Sequence, residues 1–179
     1  MRRILLVRIG GVAQEVLDNL KPGLEARFYR KIDSGKGLPE PFYAYDKKRK
    51  QYLSTSILKE LENLEECSTY ERVLGVVDRD LFVPELNFVF GLAGRKGALF
   101  SLTRLRQEFY GLPGDQHLFE RRALTEAVHE LGHTYGLGHC PHPKCVMAFS
   151  NSLPDTDRKG PNFCHPCRSR LLQILPNER

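Results

Sequence analysis

Hydrophobic residues in the first third of the chain form short runs and helical stripes. Ile4–Ile9 is a nearly continuous apolar run, which is typical of a buried strand, and the apolar residues of Val12–Leu20 follow a helical stripe. The pattern further predicts a strand at Leu24–Tyr29, a loop at Gly35–Pro41 and an amphipathic helix at Ser54–Glu66. Because strands alternate with helices here, we expect parallel strand pairing in this region.

The pattern changes towards strands in the middle of the chain. Segments rich in β-branched and aromatic residues predict strands at Arg72–Val77, Asn87–Leu92 and Ala98–Leu105. The glycines of Gly91–Gly97 favour a hairpin between the last two. Helical periodicity returns over Asp115–Tyr135, where Asp115 is a suitable N-cap, and a final helix is expected near Arg168–Leu175. These elements predict an α/β (α+β) fold with a mixed twisted sheet.

The long predicted helix carries two histidines, and a third follows it. Residues four apart on a helix lie about 40° apart around its axis, so His129 and His133 project from one face and can bind one metal ion. Gly136 suits a chain reversal, because a residue without Cβ enters left-handed backbone space at little cost. His139 then supplies a third nitrogen and leaves one coordination position for water, which is typical of catalytic zinc sites.

A glutamate within this motif can supply the general base that a hydrolytic zinc site needs. Glu130 is adjacent to the first histidine, and we predict that it acts as the general base of a hydrolytic reaction. The alternative is an amphipathic helix with surface histidines, but the full spacing arises by chance in fewer than roughly one chain in ten thousand. Apolar residues lie on the opposite face of the predicted helix: Leu124, Ala127, Val128, Leu131 and Tyr135. One face is therefore expected to pack on the core while the other faces a cleft.

Met147 and Phe149, which follow the histidine motif, refine this interpretation. Met147 is the only methionine besides Met1, and a methionine after a long zinc motif is typical of metzincins, in which it lies beneath the imidazoles. A role as core filler is compatible with that position. Phe149 occupies a position at which some metzincins carry a tyrosine that reaches the metal, so no phenolic ligand is expected there.

Four of the five cysteines follow the third histidine: Cys140, Cys145, Cys164 and Cys167. The two pairs are separated by 18 residues, close to the spacing of zinc ribbons, which predicts one structural zinc ion. Two disulfides are the main alternative, although a reducing compartment disfavours them. His142 and His165 lie in the same segments and either replace a cysteine or remain solvated. Cys67 stands apart and is expected to be a small buried residue at a helix end.

From about Phe109 to Cys167 the sequence resembles the archaemetzincins, whose signature joins the histidine motif to C-x4-C-x-M and a later C-x-x-C. The gap between Met147 and Cys164 is 16 residues, slightly shorter than the family pattern, and we interpret it as a loop-length difference. The resemblance implies a metzincin-like fold with a backing helix, an active-site helix and a small zinc-stapled C-terminal lobe. It also implies a catalytic zinc on the three histidines, a structural zinc on the four cysteines, and peptide hydrolysis.

Length and composition fit one compact domain. A chain of 179 residues that is 41% hydrophobic can bury a sizeable core. We expect a single metallopeptidase domain over residues 1–179, with the sheet and active-site helix in residues 1–138 and the Met-turn and cysteine site in residues 139–179. Ile4–Val7 is too short for a membrane span or a signal-peptide core, so we expect a cytoplasmic protein with no membrane partner. A monomer is the default expectation.

Charge adds little to this picture. The formal net charge is +5, and Lys47–Lys50, flanked by Tyr45 and Tyr52, is the only dense basic run. Such a run is typical of a solvated loop or helix start. Because nucleic-acid binding needs a wider basic face, no nucleic-acid partner is expected.

The sequence therefore predicts a zinc metallopeptidase that acts on peptides or proteins. An extended substrate is expected to pair with an exposed sheet edge, for which Asn87–Leu92 is the candidate. Glu126, one turn before Glu130, either binds a free substrate amine, as in an aminopeptidase, or is a solvated helix residue. Exopeptidase and endopeptidase activity both remain open. Other open alternatives are a zinc-dependent peptide-binding protein without turnover and a nucleic-acid-binding zinc module.

Overall fold

A computed structural model describes residues 2–175. Within that range the strands are β1 (Arg3–Ile9), β2 (Lys31–Ser34), β3 (Tyr45–Asp46), β4 (Gln51–Leu53), β5 (Arg72–Val77), β6 (Leu81–Phe82), β7 (Gly91–Ala93) and β8 (Gly97–Ser101). The α-helices are α1 (Gln14–Phe28), α2 (Ser54–Glu62), α3 (Gln116–Thr134), α4 (Leu153–Lys159) and α5 (His165–Ile174). No helix among these residues is both long and apolar enough to cross a membrane.

The main sheet has the strand order β2-β1-β5-β8-β7. Its first four strands are parallel, whereas β7 pairs antiparallel with β8 through a hairpin, as the sequence predicts. Short strands β3, β4 and β6 form a second sheet. Because β7 is the last strand of the main sheet, its outer edge borders the cleft described below.

Helices cover both faces of the main sheet. Alternate residues of β1 point to opposite faces, so Ile4 packs in the cluster that contains α1 and α3, whereas Leu5 packs in the cluster that contains α2. Both residues are almost fully buried. Burial of such a side chain stabilises the fold by about 1.5–3 kcal/mol relative to exposure. This three-layer packing fixes α3 against the sheet and confirms the predicted mixed α/β fold.

The strand predicted at Leu24–Tyr29 is wrong, because α1 continues through Pro22 and Gly23 as far as Phe28. The buried residues of α1 recur at helical spacing: Leu17, Leu20, Leu24 and Phe28. Gly23 permits a close approach of α1 to α3, since a Cβ there would lie 2.7 Å from the Leu124 methyl carbons. Burial of this stripe outweighs the helix-breaking tendency of Pro22. The second strand is instead Lys31–Ser34.

Three other predicted elements are shorter in the structure than in the prediction. The helix predicted at Ser54–Glu66 ends at Glu62 and is followed by a separate 3₁₀ turn. The strand predicted at Ala98–Leu105 ends at Ser101, whose hydroxyl accepts a hydrogen bond from Thr103 N and so favours a turn. Of the strand predicted at Asn87–Leu92, only its last two residues lie in β7. Phe88 and Phe90 pack edge to face in this region, so its aromatic content reflects packing as well as strand pairing.

Candidate active site

Helix α3 begins and ends as the sequence predicts. Asp115 caps it, because its Oδ1 accepts a hydrogen bond from Leu118 N at 2.9 Å. Beyond its C-terminus, Gly136 has φ 79°, a left-handed conformation that glycine adopts without a Cβ clash. The chain reverses at this glycine and brings His139 back towards the helix. The local sequence therefore places the third histidine beside the first two.

The three histidine side chains converge on one point. His129, His133 and His139 each offer a ring nitrogen within 4.8 Å of the others, and the Nε2 atoms of the first two are 3.1 Å apart. The Nδ1 of His129 lies 2.7 Å from Val146 O, and that of His133 lies 2.8 Å from Leu137 O. If each Nδ1 carries the proton and donates it to its carbonyl, each Nε2 presents a lone pair. The donor set therefore fits a single zinc ion bound by three imidazoles.

The surroundings of the three imidazoles lower their pKa values and so favour the neutral form. Burial lowers the pKa of His129 well below its usual value, and the positive charge of Lys159 acts in the same direction. Burial also lowers the pKa of His133 and of His139. A neutral imidazole is the form that binds a metal, so the environment of the three rings favours ligation at neutral pH.

Glu130 lies beside the histidines in the wall of the same cavity. Its side chain is buried, and this burial raises its pKa well above the ordinary carboxyl value, with the charge of Glu126 adding to the effect and that of Lys159 opposing it. A cation held by the histidines would favour the ionised carboxylate. The cavity has a volume of about 580 Å³. The residues 86–93 that include β7 line one side, and 149–151 line another, so the predicted sheet edge does border the cleft.

Met147 packs against the turn of α3 that carries His129 and His133. It is fully buried, and a Cβ on Gly132 would lie only 2.5 Å from its Sδ atom. Its thioether thus packs against the helix between the first two histidines. The two interpretations of Met147, a methionine beneath the imidazoles and a core filler, are therefore compatible. Phe149 is largely exposed, and its ring centroid lies 5.0 Å from that of His139. It contacts a predicted ligand through its ring and has no phenolic oxygen to offer.

The four downstream cysteines form a second cluster, composed of Cys140, Cys145, Cys164 and Cys167. Their Sγ atoms all lie within 4.8 Å of one another, and those of Cys140 and Cys164 are 3.8 Å apart. A disulfide needs about 2.05 Å. Four thiolates about 2.3 Å from a central zinc ion stand roughly 3.8 Å apart, so the spacing fits a tetrahedral site. Both clusters therefore have the donor chemistry and dimensions of zinc sites.

The remaining candidate residues lie outside both clusters. His142 and His165 are exposed, which agrees with the solvated alternative. Cys67 is buried just beyond α2, where its thiol donates to Leu61 O at 2.9 Å. Burial raises the pKa of this thiol, as expected for an inert packing residue. Lys47–Lys50 form a tight turn between β3 and β4, in agreement with the loop interpretation.

Glu126 is not the solvated helix residue that the sequence suggests. It is only 2% exposed, and its Oε1 accepts a hydrogen bond from Thr156 Oγ1 at 3.0 Å and pairs with Lys159 Nζ at 3.2 Å. Lys159 is also buried, and its ammonium lies 3.4 Å from Ala148 O, next to Met147. Sequence reasoning missed Lys159 altogether, because no local spacing pairs it with Glu126. This buried ion pair joins α4 to the active-site helix.

Comparisons with known proteins identify the relatives of the chain. Residues 38–173 match the family model described as Peptidase family M54. The archaemetzincin of Pyrococcus furiosus is 46% identical over 180 residues, covering 96% of this chain and 93% of that protein. The archaemetzincin of Methanocaldococcus jannaschii is 44% identical and covers 94% and 92%.

Solved structures give the same result. The crystal structure of archaemetzincin from Methanopyrus kandleri superposes with a TM-score of 0.84 at 37% identity, covering 97% of this chain and 96% of that one. A zinc-dependent peptidase from Methanocorpusculum labreanum also gives a TM-score of 0.84, at 30% identity, covering 94% and 99%. These matches confirm the metzincin-like fold that the histidine and cysteine motifs predict. Shared sequence and shared fold over most of its length place the chain in peptidase family M54, the archaemetzincins, and make it a zinc metallopeptidase that acts on peptides or proteins.

Proposed function

We propose that Glu130 is the general base of peptide-bond hydrolysis in this chain and that His129, His133 and His139 hold the catalytic zinc ion. The convergence of three imidazole nitrogens beside a buried carboxylate, within one cavity, carries this proposal. When bound, zinc would polarise a water molecule and the scissile carbonyl and would stabilise the developing negative charge. Glu130 is the only carboxylate adjacent to a predicted ligand in the motif, which favours it over Glu126 as the base.

The residues of the chain have separate tasks in this reaction. Glu130 takes a proton from the attacking water and later delivers it to the leaving amine. The outer edge of β7 borders the cavity and offers main-chain groups to an extended peptide. The carbonyls of Val146 and Leu137 orient the rings of His129 and His133 through their Nδ1 atoms. Strand β7 thus places the substrate, while α3 and the segment after it place the reactive groups.

The proposal includes a second, structural zinc ion on the four cysteines, giving two ions per chain. It also includes a single peptidase domain over residues 1–179, in which residues 1–138 carry the active-site helix and residues 139–179 carry the cysteine site. Free thiols spaced for metal binding suit a reducing compartment, which supports a cytoplasmic location.

We propose that the chain works as a monomer without nucleic-acid or membrane partners. Arg49, in the only dense basic run of the sequence, lies 4.2 Å from the centre of the Phe82 ring. Its guanidinium also donates to the carbonyls of Leu86 and Asn87 at the cavity rim. This cation therefore has a structural role, which argues against a nucleic-acid surface at this run.

Cleavage of a mixed peptide library, read by mass spectrometry, tests the proposed function. Zinc-loaded protein with two ions per chain would be compared with the metal-free protein. We expect cuts that depend on zinc, and their positions would separate removal of N-terminal residues from internal cleavage. If the fully metallated protein makes no cuts in a diverse library, the alternative of a peptide-binding protein without turnover gains support.

His133→Ala is expected to remove the catalytic zinc and to leave the cysteine-bound ion in place. Loss of one of three imidazoles leaves too few protein ligands for a stable catalytic site. Elemental analysis of purified protein would then give about one zinc ion per chain in place of two. The matched control is His142→Ala, which removes an exposed histidine outside the cluster and should retain both ions. Equal zinc content in His133→Ala and wild type would contradict the assignment.

Cys164→Ser is expected to remove the structural zinc and to lower the melting temperature. The binding energy of a structural zinc ion contributes directly to folding. The decrease in melting temperature should therefore be larger than the decrease caused by an ordinary surface substitution. The measurement is zinc content together with thermal unfolding. Cys67→Ala serves as the control, since Cys67 lies outside the cluster and this variant should keep both ions. Retention of two tightly bound ions in Cys164→Ser would rule out a four-cysteine site.

A further inference from the structure

Strand β7 places a glycine directly against the predicted general base. Gly91 is the first residue of β7 and pairs with Phe100 of β8. It lines the same cavity as Glu130. The edge strand and the active-site helix are therefore in contact at this glycine.

A side chain at this position has no room. A Cβ built on Gly91 would lie 2.6 Å from Glu130 Cγ, 2.6 Å from Oε1 and 2.7 Å from Cδ. Real Cβ atoms essentially never approach another heavy atom within 3.0 Å. All three of the nearest atoms belong to Glu130, so the space that the glycine leaves is filled by this one side chain.

The backbone conformation of Gly91 does not explain the glycine. The glycines with positive φ are Gly10, Gly111, Gly136 and Gly160. Gly91 is not among them, so an L-residue can adopt its backbone angles without strain. What excludes a larger residue is the close approach of the Glu130 side chain.

A substitution here cannot be relieved by rotating the carboxylate alone. The contacts include Cγ as well as the carboxyl group, so χ1 of Glu130 would have to change, or β7 would have to move away from α3. Glu130 is only 6% exposed, and β7 is held to β8 by the hairpin. A rotation of the Glu130 side chain displaces the carboxylate relative to the histidines, whereas a movement of β7 would disturb its pairing with β8.

We propose that Gly91 is a positioning residue for the hydrolytic reaction. By lacking a side chain, it creates the space in which the Glu130 carboxylate is held beside the predicted metal ligands. This inference rests on the proposed role of Glu130. It gives the edge strand a second task, because the strand that borders the substrate cleft also sets the location of the base.

The first test is the steady-state kinetics of Gly91→Ala. Displacement of a catalytic group by about 1 Å can reduce the rate by about 10²-fold, so we expect kcat to fall by about that factor with KM and zinc content little changed. The matched control is Gly97→Ala in β8, where a Cβ would lie 2.6 Å from Cγ of Glu62, a residue outside the cavity. It introduces the same kind of overpacking, so its melting temperature should fall while kcat of the folded protein is retained.

The second test does not depend on turnover. Overpacking should lower the melting temperature of Gly91→Ala by roughly 2–10 °C in the wild-type background. In the Glu130→Ala background the obstructing side chain is absent, so the same substitution should cause no decrease. The difference between the two changes in melting temperature thus reports directly on the contact between Gly91 and Glu130.

Two results would overturn the proposal: an unchanged kcat in Gly91→Ala, or equal decreases of melting temperature in both backgrounds. Inactive wild-type protein would count against the proposed function instead. In that case the coupling of melting temperatures would still decide whether Gly91 makes room for Glu130.

Discussion

Glu130→Ala is expected to lower kcat for peptide hydrolysis by about 10²–10⁴-fold, the usual contribution of a general acid–base group. The carboxylate lies beside the three-histidine cluster without belonging to it, so zinc content should stay at the wild-type value. The measurement is kcat on a cleaved library peptide, with zinc determined in the same samples. Unchanged zinc with lost turnover would separate a proton-transfer role from a ligand role.

Two further variants make this result specific. Glu130→Gln keeps the size of the side chain, and hence its packing against Gly91, but an amide cannot take up the proton. It should be nearly as inactive as Glu130→Ala. Glu120→Ala removes a glutamate from the same helix outside the cavity and should retain full activity. Substantial turnover by Glu130→Gln would refute the role of general base.

Lys159→Met is expected to lower the free energy of unfolding by about 3–5 kcal/mol, the usual cost of removing one partner of a buried ion pair. The variant would leave the Glu126 carboxylate buried, where it would keep the hydrogen bond from the Thr156 hydroxyl but lose its ion-pair partner. Urea denaturation of the zinc-loaded protein would measure the loss. The double variant Glu126→Leu/Lys159→Met should recover most of it, because apolar side chains of similar volume often replace a buried pair at little cost.

An ion pair on the surface of α4, the helix that carries Lys159, provides the matched control. Arg158 and Asp155 lie 3.7 Å apart, and the arginine side chain is 60% exposed. Such a pair contributes at most about 1 kcal/mol, so Arg158→Met should have a small effect. If Lys159→Met and Arg158→Met lower the free energy of unfolding by the same amount, the buried ion pair of Glu126 and Lys159 contributes no more to stability than an exposed pair.

The convergence of the three histidines could be predicted from the sequence because short-range geometry determines their arrangement. His129 and His133 are one helical turn apart, and Gly136 supplies the reversal that returns His139 to them. No knowledge of the rest of the fold is needed to bring these three rings together. The central strand Arg72–Val77 was likewise predicted with the same bounds, since its apolar run is buried on both faces of the sheet.

Interactions between distant segments could not be predicted in this way. Lys159 reaches Glu126 from α4, and Gly91 meets Glu130 only after β7 has joined the sheet. No spacing in the sequence relates the members of either pair. The error at Leu24–Tyr29 has the same origin, because a short apolar segment does not distinguish strand from helix until its packing partner is known. That partner is α3, which Gly23 allows to approach closely.

The two clusters share one short stretch of chain. Cys140 directly follows His139, and Cys145 directly precedes Val146, whose carbonyl orients His129. If the proposed structural zinc ion is bound by the four thiolates, the backbone on both sides of this loop loses its conformational freedom during folding, at a cost of about 1–2 kcal/mol per residue. The loop would then be ordered before a substrate arrives, and the three histidines would be preorganised for the reaction.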